Sequence, residues 1–345
     1  MSDPQTLLRR LFARAVAVAD PMEVIPAHLP ARPPGRCVVV GAGKASARMA
    51  EAVESAWGPC EGLVVTRYGH ARPCRGIEIV EAAHPVPDMA GVAATARMLD
   101  LLAGLGEGDF GLALISGGAS SLLIAPGDGI TLAEKQALTQ DLLASGAPIG
   151  DINGIRKEIS AVKGGRLAAA AYPARMLALL ISDVPGDDPG AIASGPTVGH
   201  GGDAALARRT LHRWGVTPPA SIARFLDAGG APLPPGDPRL SLVENRVVAA
   251  PSQSLAAAAA LAREAGLAVE SLGDAIEGEA REVAADHARL ARQAEGPCLL
   301  LSGGELTVTR RGDGSGGPNA EYALALALAL DAAPGIHALD RKSVV

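Results

Sequence analysis

Aromatic side chains are nearly missing from this chain: Phe, Trp and Tyr together make up 2 % of its 345 residues. Hydrophobic residues nevertheless reach 48 %, so Ala, Leu, Val and Ile must fill the core. Cysteine is also scarce. Cys37, Cys60, Cys74 and Cys298 form no CxxC pair and no cluster with histidine. That spacing argues against a disulfide framework and a structural zinc, and leaves free thiols in a reducing compartment. An excess of positive charge is lacking as well. The net charge of −6 argues against a general nucleic-acid binder, which needs a basic surface. No stretch approaches the roughly 18 uncharged apolar residues of a membrane span. The first twenty residues carry Asp3, Arg9, Arg10 and Arg14 and lack the uncharged core of a signal peptide. The cytoplasm is therefore the expected location.

What is abundant is turn-forming residues: Gly 42 and Pro 26, spread along the chain as an alternation of strands and helices requires. At about 150 residues per domain the length suggests two domains. Leu7, Leu8, Leu11, Phe12 and Val16 make an apolar stripe on a helix over 5–19. Short apolar runs then predict strands at 37–40, 62–66, 77–81, 111–115 and 175–181. Helices are predicted between them at 44–57, 91–105, 131–145 and 151–162. Thr131 followed by Glu134 is a capping-box signature. Apolar strands separated by helices imply a mostly parallel sheet covered on both faces, with ligands at the carboxyl ends of its strands. The Pro/Gly-rich stretch Gly229 to Pro238 is a candidate boundary, giving domains 1–238 and 239–345. Beyond it, strands at 246–250, 268–272 and 298–302 alternate with helices at 254–265 and 277–293. A hairpin-like segment, 306–310, and an Ala/Leu helix, 320–330, follow.

Several loops after strands carry chemistry. Gly41-Ala42-Gly43-Lys44-Ala45-Ser46 joins the first strand to a helix, where bare backbone, a helix N-terminus and a lysine suit phosphate. It is not a P-loop, because Val38 and Ala45 stand where Gly and Ser/Thr are needed. Nor is it a clean dinucleotide fingerprint, because Ser46 replaces the third glycine and the second strand ends in Thr66-Arg67 without an acidic ribose reader. A tight turn with a solvent-facing lysine is the plain alternative. Ser116-Gly117-Gly118-Ala119-Ser120-Ser121 has the composition of an anion nest. Arg156 and Lys163, seven residues apart on one expected helix face, precede Gly164-Gly165-Arg166; a polyanionic ligand or a solvated face explains them. Asp183, after the strongest strand, is placed to take a proton or bind Mg²⁺, with Asp187 and Asp188 nearby in sequence as further ligands or as solvated turn residues. Ser194-Gly195-Pro196-Thr197 is another hydroxyl-rich turn, and His84 before Pro85 is a substrate contact or a turn histidine.

In this order, VVVGAGKAS (38–46), HPVPD (84–88), LISGGASSLL (114–123), INGIRKEISAVKGGRLA (152–168), LISDVPGDDPGAIASGPT (180–197), LLSGGELTV (300–308) and GSGGPNAEYALALAL (314–328) resemble the class II glycerate kinases, the glycerate 2-kinase family. Some members of that family are labelled hydroxypyruvate reductases. The resemblance implies an N-terminal Rossmann-like three-layer α/β/α domain and a smaller C-terminal α/β domain. It implies transfer of the ATP γ-phosphoryl group to the 2-hydroxyl of D-glycerate, with Mg²⁺; a homodimer stays open. By position it makes Lys44 the phosphate-stabilising lysine and Asp183 a base or metal ligand, with Asp187 a second ligand. Beside the resemblance, the residues' own chemistry makes Arg156 and Lys163 candidate catalytic cations. It makes Gly41, Gly43, Ser46, Ser116, Gly117, Gly118, Ser120 and Gly195 candidate ATP or phosphate contacts, and His84, Arg166, Asn319 and Glu321 candidate substrate contacts. The family loop often reads Gly-Gly-Arg-Asn-Gln-Glu where this chain has Gly316-Gly317-Pro318-Asn319-Ala320-Glu321, so its arginine is replaced by Pro318. After Leu339 the family normally continues through an Asp-Thr-Asp-Gly-rich loop. Here the chain reads Asp340 to Val345, and the expectation is an incomplete smaller domain with an unfinished sheet edge. A nicotinamide-dependent hydroxypyruvate reductase and an inactive anion-binding remnant are the rival readings.

Overall fold

The computed structural model describes residues 3–309 and 311–341. The chain divides into two compact units, Val24–Val248 and a smaller one that joins Met1–Glu23 to Ala249–Val345. The boundary falls after Val248, beyond the Pro/Gly-rich stretch where composition places it. That stretch is tied into the larger unit instead: the Ala231 N–H donates to Glu158 O at 3.0 Å and the Leu233 N–H to Gly164 O at 3.0 Å.

The larger unit is built on a six-stranded sheet of β1 (Cys37–Ala42), β2 (Glu61–Arg67), β3 (Ile77–Ala82), β4 (Phe110–Ile115), β5 (Arg175–Ile181) and β6 (Val243–Ala249). Its order is β3-β2-β1-β4-β5-β6, and β1–β2, β2–β3, β1–β4 and β4–β5 pair in parallel. The near-continuous apolar sequences of β1, β4 and β5 reflect burial on both faces. Val38, Val40 and Ala42 enter a core with Met98, Leu102 and Leu122, while Val39 on the opposite side is equally enclosed. The strand order reverses between β1 and β4, which puts the loops after these strands side by side at the carboxyl edge. In such sheets that is where ligands bind.

Most of the helices follow the expected pattern. The capping box is formed: the Glu134 N–H donates to Thr131 Oγ1 and the Thr131 N–H to Glu134 Oε2, opening the helix Leu132–Ala144. One helix is shorter than expected. Ile149–Glu158 stops where Ile159 leaves helical geometry (φ −100°, ψ 26°). The left-handed Gly164 (φ +56°) and Gly165 (φ +84°) then turn the chain. Ile159 and Val162 are buried, so their apolar spacing is real, but the backbone that carries them is not helical. Lys163 therefore does not share a helix face with Arg156.

In the smaller unit the helix Pro4–Ala17 packs through Leu11 on Ala258 and Ala262 of the helix Pro251–Glu264. Two parallel strands, β7 (Ala268–Ile276) and β8 (Cys298–Gly304), form its sheet. The helices Ala280–Gln293 and Pro318–Leu330 meet through Ala284, Ala288, Leu326 and Leu330. The segment expected to make a hairpin forms an isolated parallel bridge, Glu279 to Thr307, because β8 pairs with β7; Arg310 lies outside the described residues.

Candidate active site

The glycine loop after β1 is spent on the fold. The Gly43 N–H donates to Val65 O (3.1 Å), the Lys44 N–H to Gly117 O (2.9 Å) and the Ser46 N–H to Gly43 O (3.3 Å). The Ala45 N–H is taken by Ser116 Oγ (3.0 Å). The Ser46 hydroxyl donates to Leu114 O and lies 3.2 Å from Ser116 Oγ, with both serines buried. The glycines serve this close approach. A methyl group on Gly43, whose φ is +139°, would fall 2.1 Å from Ser116 Oγ, and one on Gly41 would fall 2.3 Å from Leu114 O. The loop after β1 is therefore welded to the loop after β4, and its remaining polar feature is the half-buried Lys44 side chain.

The open backbone lies across the weld. Among the described residues the N–H groups of Gly117 and Gly118 donate to no carbonyl, and Gly118 is left-handed (φ +81°). This is the part of the expected nest that keeps donors available. Three side chains from three different loops converge over these two glycines. A methyl group on Gly118 would fall 2.9 Å from His84 Nε2 and 3.0 Å from Lys44 Cε, and one on Gly117 would fall 2.2 Å from Asp183 Oδ2. The loops after β1, β3 and β5 thus deliver a cation, an imidazole and a carboxylate onto the bare backbone after β4. Asp183 is exposed, while Lys44 and His84 are partly so.

The segment after Asp183 is conformationally unusual. Asp187 (φ +54°), Ala193 (φ +55°) and Ser194 (φ +64°) all occupy the left-handed region. There a side chain crowds the following carbonyl at a cost of about 1–2 kcal/mol per residue. Gly195 (φ +61°) joins them and donates its N–H to Ile192 O. Ser120 Oγ and Ser194 Oγ lie 3.0 Å apart, joining this segment to the loop after β4. One carboxylate oxygen of Asp187, Oδ1, is buried without a hydrogen-bond partner.

The basic residues separate into different roles. Lys163 is enclosed (1 % exposed) and donates from Nζ to Ala193 O at 3.1 Å. Burial, then the neighbouring cations Lys135, Arg156 and Lys157, hold its amine well below the ordinary lysine range. Lys157 Nζ donates to Gly190 O at 2.7 Å. Lys135, also buried, donates to Ile159 O at 3.2 Å, and burial followed by Arg156 brings its pKa down to about 7. Lys135 gave no signal in the sequence, because a lysine inside a capped helix reads as solvated. Arg156 is half-buried, and among the described residues no carboxylate pairs with it. Arg166 donates from Nη1 to Ala231 O, holding the chain that leads to β6.

Asn319 and Glu321 lie in the smaller unit at the start of the helix Pro318–Leu330. Asn319 Nδ2 donates to Asp340 Oδ1 at 3.1 Å, and Glu321 pairs with Arg281 at 2.8 Å. The structure thus brings together Lys44, His84, Gly117, Gly118 and Asp183, joined through Ser120 to Ser194 and Gly195. Gly41, Gly43, Ser46 and Ser116 form the packing beneath them.

The fold and this convergence define a two-unit α/β protein in which a lysine, a carboxylate and open glycine amides meet at a strand-order reversal. The comparisons narrow this further. Residues 7–227 match the model described as "Domain of unknown function (DUF4147)", and residues 298–343 match the MOFRL family. A "Putative hydroxypyruvate reductase" of Agrobacterium vitis is 50 % identical over 96 % of this chain and 78 % of its own length. A D-glycerate 2-kinase of Thermotoga maritima is 36 % identical over 97 % of this chain and 82 % of its own length. The crystal structure of a glycerate kinase from the same organism superposes with a TM-score of 0.83, covering 94 % of this chain and 79 % of that one. The chain belongs to the glycerate kinase family.

Proposed function

We propose that this chain transfers the terminal phosphoryl group of ATP to the 2-hydroxyl of D-glycerate, giving 2-phosphoglycerate. The observation that carries the reading is the meeting of Lys44, His84 and Asp183 over Gly117 and Gly118. Phosphoryl transfer asks for positioning and charge stabilisation more than for covalent chemistry. The Lys44 ammonium and the free amides of Gly117 and Gly118 take the phosphate oxygens. The Asp183 carboxylate receives the proton of the attacking hydroxyl, and His84 orients glycerate. Arg156, which has no carboxylate partner among the described residues, supplies further positive charge.

Magnesium fits this donor set as a shared ion. Mg²⁺ is commonly held by one or two carboxylates together with substrate phosphates. The exposed Asp183 carboxylate and the unpartnered Oδ1 of Asp187 supply hard oxygen donors of that kind. No group of three or more His, Cys, Asp or Glu forms a cage among the described residues. When bound, the ion neutralises phosphate charge. Among the described residues no helix is long and apolar enough to cross a membrane.

The hydroxypyruvate reductase name is borne by a closer relative in identity, yet the site disfavours nicotinamide chemistry. A dinucleotide pyrophosphate needs the helix N-terminus after β1. Here the amides of Lys44, Ala45 and Ser46 are already bonded within the protein. A coupled assay of ADP formation decides between the two. ADP production dependent on D-glycerate is expected, and Lys44→Ala should lower kcat by about 10²–10³, the loss typical of one donor to a developing charge. Absence of ADP formation together with NADPH oxidation by hydroxypyruvate would establish the reductase instead.

A further inference from the structure

Lys163 and Lys157 make one pattern. Both leave the end of the helix Ile149–Glu158 or the turn just after it, and both donate to carbonyls of the segment that follows Asp183: Lys157 to Gly190 O and Lys163 to Ala193 O. That segment holds Asp187, Ala193 and Ser194 in left-handed conformations which persist only when surrounding contacts over-determine them. The backbone on both sides of Lys163 adds to the hold. The Gly164 N–H donates to Ser194 O at 3.3 Å and the Gly165 N–H to Gly195 O at 2.9 Å. Lys163, 1 % exposed and aimed at a carbonyl, is closed off from a bound phosphate.

We propose that Lys163 and Lys157 are positioning residues, a two-point clamp that fixes the backbone 185–195 and thereby sets the Asp183 carboxylate over Gly117. Arg156, half-buried and with no carboxylate partner among the described residues, is not part of this clamp. The kinetic consequence rests on the phosphoryl-transfer reading; the clamp itself does not. The buried Ala193 carbonyl must find a donor inside the protein, and Lys163 supplies it. A methionine there keeps the volume but leaves the carbonyl unpaired, and the left-handed turn above it loses its anchor.

Hydrogen–deuterium exchange on the full chain is the direct test, run beside steady-state kinetics. In Lys163→Met and in Lys157→Met, amides of residues 185–195 should exchange about tenfold faster while those of β1 and β4 keep their rates. Both variants should lower kcat several-fold more than they raise the KM for ATP. Lys157→Arg, which can still reach Gly190 O, should restore both readouts. If Lys163→Met fails to fold, Lys157→Met and its arginine partner carry the comparison alone. Unchanged exchange over 185–195, or a rise in KM with kcat and exchange intact, would overturn the clamp and return these lysines to substrate contact. A wild-type protein that forms no ADP refutes the proposed reaction, and exchange still decides the clamp.

Discussion

At the residue scale the site depends on atoms that are missing. Gly118 makes room for His84 and Lys44 together, and its left-handed backbone costs glycine little. Gly118→Ala leaves every functional group present but puts a methyl 2.9 Å from His84 Nε2 and 3.0 Å from Lys44 Cε, so both must move. Displacements near 1 Å at a reacting centre cost on the order of 10² in rate. We expect kcat/KM for glycerate to drop by about that factor with little loss of helix content; circular dichroism and the ADP assay together check this. Near-normal activity would show that the convergence over Gly118 is not the reacting centre. Lys44, Asp183 and the Gly117-Gly118 pair were legible in the sequence because charged or bare residues after buried strands have few structural uses. The fate of Gly41, Gly43, Ser46 and Ser116 was not. The same small residues that admit a phosphate also admit a neighbouring loop, and only the hydrogen-bond partners tell the two apart.

At the scale of elements, the end of the helix Ile149–Glu158 concentrates unpaired polarity. Glu158 is 2 % exposed and neither carboxylate oxygen has a hydrogen-bond partner. His200 Nε2 stands 3.7 Å from Oε1. Burial, then the field of Asp203, raises the Glu158 pKa to about 7, while burial and then Lys157 lower that of His200. Both groups are thereby held toward their neutral forms. For a carboxyl with a raised folded-state pKa, the folded chain binds the extra proton. The associated stability is full below the unfolded value of 4.5 and is lost as pH rises through about 7. Glu158→Gln mimics the protonated form and removes that loss. Relative to wild type, the variant should gain about 3 kcal/mol between pH 5 and pH 8.5, from 1.36 kcal/mol per pKa unit. Denaturant melts at the two pH values measure it, and a pH-independent difference would mean that Glu158 stays ionised. Sequence periodicity located this element but overran its end. Ile159 and Val162 continue the apolar spacing after the backbone has turned, and the Gly164-Gly165 pair that turns it also resembles a flexible ligand loop.

At the scale of the molecule, alternation of buried strands with helices made the parallel sheet legible, because doubly covered strands have little alternative to apolar runs. The unit boundary was less so. Pro and Gly at 229–238 mark a turn sequence, but long-range backbone bonds to Glu158 and Gly164 hold that turn inside the larger unit. No local pattern announces that the helix Pro4–Ala17 packs with the helix Pro251–Glu264 far along the chain. The larger unit carries the Lys44–His84–Asp183 convergence, and Asn319 and Glu321 belong to the smaller one. Binding of the nucleotide can be measured apart from turnover. A ligand that binds only the folded chain stabilises it by RT ln(1 + [L]/Kd), about 2.7 kcal/mol at one hundred times Kd. A shift of a few degrees in Tm is therefore expected from ATP with magnesium, and Lys44→Ala should reduce it sharply if Lys44 holds the phosphates as proposed. NADPH should leave Tm unchanged, since the amides at the start of the helix Ser46–Trp57 are already committed. A shift that survives in Lys44→Ala would place the nucleotide away from Gly117 and Gly118. A shift with ATP but no ADP formed on adding D-glycerate would leave a chain that binds the donor without using it, and the transfer step would have to be sought with another acceptor hydroxyl.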